Sequence, residues 1–266
     1  SEDPDAEDLL AAHALPDLPI LKQAEEAAVL RNRAELRFEL EYGVGRSARV
    51  AFDRDERLMI VSSNERIQLS SSDDAQEELA ARLKKAVGKI QVWDVQSQEV
   101  VREFDELQGL VGEVAISPDD RFLVTVNRPR DDLNGAHLQL WDFQSGDLLK
   151  DFPPLERRVL VTKFSPDGSL LATGGFDKNP RVWSIPSCEE VTKLPEQPSF
   201  SDCLEFTPDG RLLVVPSRKG DVTVWNTESW TLQKQFQVDD FFLLGAALSP
   251  DGKVFAVGGA KQGGDK

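Results

Sequence analysis

Two histidines, two cysteines and one short run of paired charges are the residues of this 266-residue chain whose types suit chemistry. A metal centre draws three or four imidazoles, thiolates or carboxylates to one point. His13, His137, Cys188 and Cys203 stand far apart, with no ligand spacing among them. There is no Gly-x-Ser-x-Gly elbow, phosphate-binding loop or paired-histidine motif. His137 falls in a long loop with no evident partner and His13 in an acidic tail, so both read as solvated. The Asp-Gly pairs at 167–168, 209–210 and 251–252 lack a second acidic cluster to share a calcium ion, and read as turn formers. The expectation is a chain with no catalytic residues, no metal and no cofactor. Recognition is the chemistry that fits: Arg128 and Arg130 beside Asp131 and Asp132 offer two guanidiniums, which take carboxylates in bidentate fashion.

Charge narrows the partners. Asp and Glu number 47 against 31 Lys and Arg, a net charge of −16 with a pI near 4.6. Such a field repels nucleic acid and anionic membrane surfaces. No apolar run approaches the roughly 18 residues of a membrane helix, so no membrane insertion is expected. The chain opens on Ser1 with no basic-then-apolar leader, as a processed or excised protein does. Two cysteines are too few for a disulfide framework. The compartment stays open, with the cytoplasm slightly favoured.

The elements that must position these residues repeat. Trp93, Trp141, Trp183 and Trp225 are separated by 48, 42 and 42 residues. Ser117-Pro118-Asp119, Ser165-Pro166-Asp167, Thr207-Pro208-Asp209 and Ser249-Pro250-Asp251 keep the same spacing. Leu40, Phe104, Phe152, Leu194 and Phe236 each precede Phe52, Ile116, Phe164, Phe206 and Leu248 by 12 residues. Self-similarity at such a period is the mark of stacked repeat units. Within one unit, Val161–Phe164 alternates as a half-buried strand, Ser165–Gly168 is a turn and Leu170–Thr173 is a buried strand broken by Gly174-Gly175. Arg181–Trp183 and Glu190–Leu194 supply a third and a fourth strand. Four short antiparallel strands per 42 residues predict one blade of a β-propeller.

These units resemble the WD-repeat β-propeller family. The carriers are Ile90–Asp94, Leu138–Asp142, Arg181–Ser184 and Val222–Asn226 with the Ser/Thr-Pro-Asp turns, over about residues 36–266. The resemblance implies an all-β fold of four-stranded antiparallel blades, four complete and one partial. It also implies that Trp93, Trp141, Trp183 and Trp225 anchor neighbouring blades. The family often places a histidine before each blade, hydrogen-bonded with Ser/Thr, Asp and Trp. The matching positions here are Gly43, Leu107, Leu155, Gln197 and Asp239, so that network is expected to be absent from every blade, leaving apolar packing. Its turn aspartate survives only as Asp177.

Turn to tryptophan takes 18 residues in the regular units, 24 from Ser117 and 40 from Asp53, so 6 and 22 residues are inserted between second and third strands. The longer insertion, about 62–89, predicts a helix over Asp73–Val87 with Leu79, Leu83 and Val87 on one stripe. Both insertions fall on one propeller face, where register also places Arg128, Arg130, Asp177, Arg218 and Lys219, the candidate partner-binding residues. Residues 1–35 carry a charge of −6 and read as an acidic tail followed by a helix over Pro19–Glu35. Leu36–Leu40 has the phase of a fourth strand, and residues 36–266 form the propeller domain. A fifth tryptophan falls due at position 267, so further blades of the same parent chain are expected. Cys203 aligns with Val161 and Cys188 with Gly146, on opposite faces, which argues against a disulfide.

The functional expectation is a non-enzymatic scaffold that binds a protein or peptide through its insertion-bearing face. The alternative is the sensory or targeting propeller of a larger kinase or protease.

Overall fold

A strand that is apolar at every position has to be covered on both of its faces. Leu212–Pro216 is such a strand, buried along its whole length. In the computed structural model, which describes residues 49–64, 88–104, 107, 109–128, 134–239 and 241–261, that demand is met by stacking sheets side by side.

The first blade consists of β1 (Arg49–Phe52), β2 (Leu58–Asn64), β3 (Gly88–Asp94) and β4 (Glu99–Phe104). The second holds β5 (Leu110–Ile116), β6 (Phe122–Arg128), β7 (His137–Asp142) and β8 (Leu148–Asp151). The third holds β9 (Val159–Phe164), β10 (Leu170–Gly175), β11 (Arg181–Ser184) and β12 (Glu190–Lys193). The fourth holds β13 (Glu205–Phe206), β14 (Leu212–Pro216), β15 (Asp221–Asn226) and β16 (Leu232–Gln237). A hairpin of β17 (Phe241–Leu248) and β18 (Phe255–Lys261) starts a fifth. Strands within a blade pair in sequence order, and every pairing is antiparallel. The described residues are therefore all-β, with four four-stranded blades and one two-stranded blade. The expected helices at Pro19–Glu35 and Asp73–Val87 and the strand at Leu36–Leu40 lie outside the described residues.

The core lies between blades. Val124, Leu138, Leu140 and Phe152 of the second blade pack with Phe164, Leu171 and Trp183 of the third. Ala172, Val182 and Leu194 of the third pack with Phe206, Leu213 and Trp225 of the fourth. Leu171 and Ala172 thus face opposite neighbours, as alternation along a strand requires. Trp141 meets Phe104 edge-on with ring centroids 5.7 Å apart, and Trp183 meets Phe152 at the same distance. These two tryptophans reach back to a phenylalanine at the end of the fourth strand of the blade before, in the edge-to-face geometry that aromatic quadrupoles favour.

The Ser/Thr-Pro-Asp turns are built alike. Ser165 Oγ donates to Asp167 Oδ1 at 2.5 Å and accepts the Leu170 N–H at 2.9 Å. The serine hydroxyl beside Asp167 holds its carboxyl below the usual aspartate value. Gly168 supplies the left-handed residue at φ 72°. In the second blade Asp120 takes that conformation, at φ 56°, and accepts the Arg54 N–H of the first blade at 3.0 Å.

Two expectations need correction. Gly174-Gly175 does not break its strand: β10 runs through both, with a register shift between them. A Cβ on Gly175 would lie 2.1 Å from the Arg158 carbonyl oxygen, so glycine serves a close strand approach there. The tryptophans are also not held by apolar packing alone. Trp141 Nε1 donates to Thr125 Oγ1 and Trp183 Nε1 to Thr173 Oγ1, both at 3.0 Å. Trp225 Nε1 donates to Thr223 Oγ1 at 2.9 Å, and that hydroxyl donates to Gln197 Oε1 at 3.2 Å. An indole needs only an acceptor, and a threonine supplies it without a histidine. The fourth blade keeps a fuller chain because Gln197 stands where the family has its imidazole.

The first blade is the exception. Val61 occupies the position of Thr125 and Thr173, and the buried Trp93 Nε1 has no hydrogen-bond partner among the described residues. Thr173→Val is expected to destabilise by about 1–3 kcal/mol by orphaning the Trp183 N–H, and Val61→Thr to stabilise by up to about 1 kcal/mol. Urea unfolding midpoints read both changes. A Thr173→Val chain as stable as wild type would rule out the pairing as a source of cohesion.

Candidate functional site

The second strand of a blade ends where its first strand begins, so residues 128, 176 and 218 share an edge with residues 110, 158 and 200. The Phe176 N–H donates to the Arg158 carbonyl at 3.0 Å, and the Arg218 N–H to the Phe200 carbonyl at 2.9 Å. Leu110 and Arg128 are strand partners in the second blade. The second-to-third-strand connections that bear the insertions leave from this same edge.

Side chains along it form a row. The Arg158 guanidinium lies over the Phe176 ring at 5.2 Å, and the Arg218 guanidinium over the Phe200 ring at 4.9 Å. Third and fourth blades carry the pair in opposite order, Arg then Phe against Phe then Arg. The two rings meet between blades, 4.8 Å apart and tilted by 34°, each with a guanidinium over it. Such contacts contribute about 0.5–1 kcal/mol each at a surface, and they fix the direction of side chains that would otherwise sweep through solvent. Phe176 remains 42% exposed.

The two ends differ electrically. Arg218 Nε sits 3.4 Å from Asp202 Oδ2, a carboxyl that burial pushes up and Arg218 draws back down. Beyond Arg158 lies Arg128, half-buried at the end of β6, and burial followed by the Arg158 charge holds its pKa below the ordinary arginine value. Neither Arg128 nor Arg158 has a carboxylate within ion-pair distance among the described residues.

Of the residues expected at this face, Arg128 and Arg218 stand at the two ends of the row. Asp177 lies beside it and is turned to Arg181 Nε at 3.5 Å, while Lys219 is exposed in the neighbouring turn. Arg130 lies outside the described residues. Sequence reasoning missed Arg158, Phe176 and Phe200. The signal was present as arginine and phenylalanine exchanging places at a spacing of 42, Arg158 with Phe200 and Phe176 with Arg218.

His137 also departs from expectation. It opens β7 rather than lying in a loop, its side chain is 20% exposed, and Nε2 lies 3.2 Å from Asp151 Oδ1. Asp151 also accepts from Gln139 Nε2 at 3.1 Å, and Gln139 Oε1 accepts from Asn127 Nδ2 at 2.7 Å. This is a structural chain within the blade. No group of three His, Cys, Asp or Glu side chains that could hold a metal ion occurs among the described residues.

One family model, that of the WD domain, G-beta repeat (WD40), matches residues 156–184. No curated protein matches the chain. Among solved structures, the β-propeller domain of Myceliophteria thermophila Cps50 (Swd1) aligns with a TM-score of 0.63 at 16% identity, covering 81% of this chain and 62% of that one. The chain thus spans less than two thirds of that domain's length, and the likeness is one of fold.

Cys188 and Cys203 are both free and buried. Burial pushes the Cys188 thiol up to about 11 and the Cys203 thiol up to about 12. With so little thiolate near neutral pH, neither is expected to react with an aromatic disulfide reagent at pH 8 until urea unfolds the chain. Rapid labelling of either in the native state would contradict this burial.

Proposed function

We propose that this WD40-like β-propeller is a non-catalytic scaffold that binds a protein or peptide on the face bearing its insertions. The observation that carries the reading is the row Arg158–Phe176–Phe200–Arg218, which spans two blades and leaves one aromatic ring open. Arginine and aromatic residues dominate binding energy at protein interfaces because they combine apolar area with fixed donors. Backbone hydrogen bonds from Phe176 to Arg158 and from Arg218 to Phe200 tie the row to the ends of its blades' strands. Variable connections on a stiff frame are where recognition is commonly placed.

Arg128, Arg130, Asp177, Arg218 and Lys219 are the proposed contact set. Their cationic members favour an acidic partner, whose encounter a chain of net charge −16 would otherwise resist. The double variant Arg128→Glu, Arg130→Glu is expected to reduce recovery of a partner in pull-down at least fivefold, with unchanged circular dichroism. Equal recovery would place the docking surface elsewhere.

A further inference from the structure

The charges along the row are unequal, and the inequality has a direction. Arg218 is already matched by Asp202 at 3.4 Å. At the other end Arg158 lies over the Phe176 ring with no carboxylate in ion-pair distance among the described residues, and its charge bears on the half-buried Arg128. Between them and Arg218 lie two stacked rings with no polar atom of their own.

We propose that the row is a composite subsite for an extended peptide carrying a carboxylate at one position and an apolar side chain two residues away. The carboxylate is taken by Arg128 and Arg158, the apolar side chain by Phe176 and Phe200. The anion offsets the Arg158 charge that bears on Arg128, and planar guanidinium forks suit its two oxygens. Spacing selects the register. The Arg158 guanidinium stands 5.2 Å from the Phe176 centroid, and the Phe176 and Phe200 centroids are 4.8 Å apart. Side chains on one face of an extended chain recur every two residues, about 7 Å. An acid at one position and Leu, Ile or Phe two residues on therefore reach the guanidinium pair and the ring pair together. Arg218 adds nothing to the anion site, because Asp202 occupies it.

This assignment rests on the reading of the face as a docking surface and extends it to the chemistry of the bound segment. The full chain is titrated into fluorescein-labelled peptides Gly-Ser-Glu-Ser-Leu-Ser-Gly, its Glu-to-Gln and Leu-to-Ser forms, and a two-acid form Gly-Ser-Glu-Ser-Leu-Ser-Glu, read by anisotropy at low salt. Either single replacement in the peptide is expected to weaken binding at least fivefold. Arg158→Gln is expected to do the same, while Arg218→Gln changes affinity by less than twofold. The second acid is expected to gain nothing with wild type but several-fold with Asp202→Asn, which frees Arg218. That gain also shows that the variant is folded and that its binding face is intact.

Equal losses from Arg158→Gln and Arg218→Gln would overturn the assignment. So would a second acid that tightens binding to wild type, or inorganic phosphate competing as well as the peptide does. If the peptides show no such selectivity while the Arg128, Arg130 double variant still loses its partner in pull-down, the subsite is wrong and the docking face stands.

Discussion

Everything in this molecule depends on sheets that cannot stand alone. A four-stranded blade with buried residues on both faces of its second and third strands has two apolar surfaces, and among the described residues no helix covers either. Neighbouring blades supply the cover, so the cores belong to pairs of blades: Leu171 serves one junction and Ala172 the next. A repeat that needs its neighbours in this way accumulates stability along the chain. Some strand connections join these junctions as well: Phe143 is buried in one, Leu155 and Cys188 in the next.

Polar groups inside the junctions refine that arrangement. Three tryptophans find threonine acceptors, one from the third strand and two from the second. The partner can move between strands because the indole requires one acceptor within reach, whichever strand supplies it. In the first blade neither strand does so, and with Val61 in place of the threonine the buried Trp93 N–H has no acceptor among the described residues. The network is therefore a property of individual blades, laid over an apolar frame common to all.

Periodic interactions are the ones legible in the sequence. The strands of the third blade are readable almost to the residue, because Trp183, Ser165 and Leu194 repeat in register with their counterparts. The continuation of β10 through Gly175 is not, since a glycine pair looks the same whether it ends a strand or admits a neighbour. His137 looks solitary because its partner Asp151 sits across a strand pair, a relation that pairing reveals and order along the chain does not. The face holding Arg128 and Arg218 can be named from register alone. The stacking of Arg158, Phe176, Phe200 and Arg218 cannot, because it arises from two residue types trading places between blades.

Gln197 holds the place of a residue that titrates near neutrality. An imidazole there would gain a proton in mildly acidic surroundings and change from acceptor to donor at one ring nitrogen. The amide has no such transition: Oε1 accepts from Thr223, and Nε2 donates to the Pro195 carbonyl at 2.9 Å, at any acidity the fold survives. This one link between the blades is indifferent to protons, unlike the Lys163–Glu205 ion pair that crosses the same junction at 2.9 Å and would be lost as the carboxylate takes up a proton.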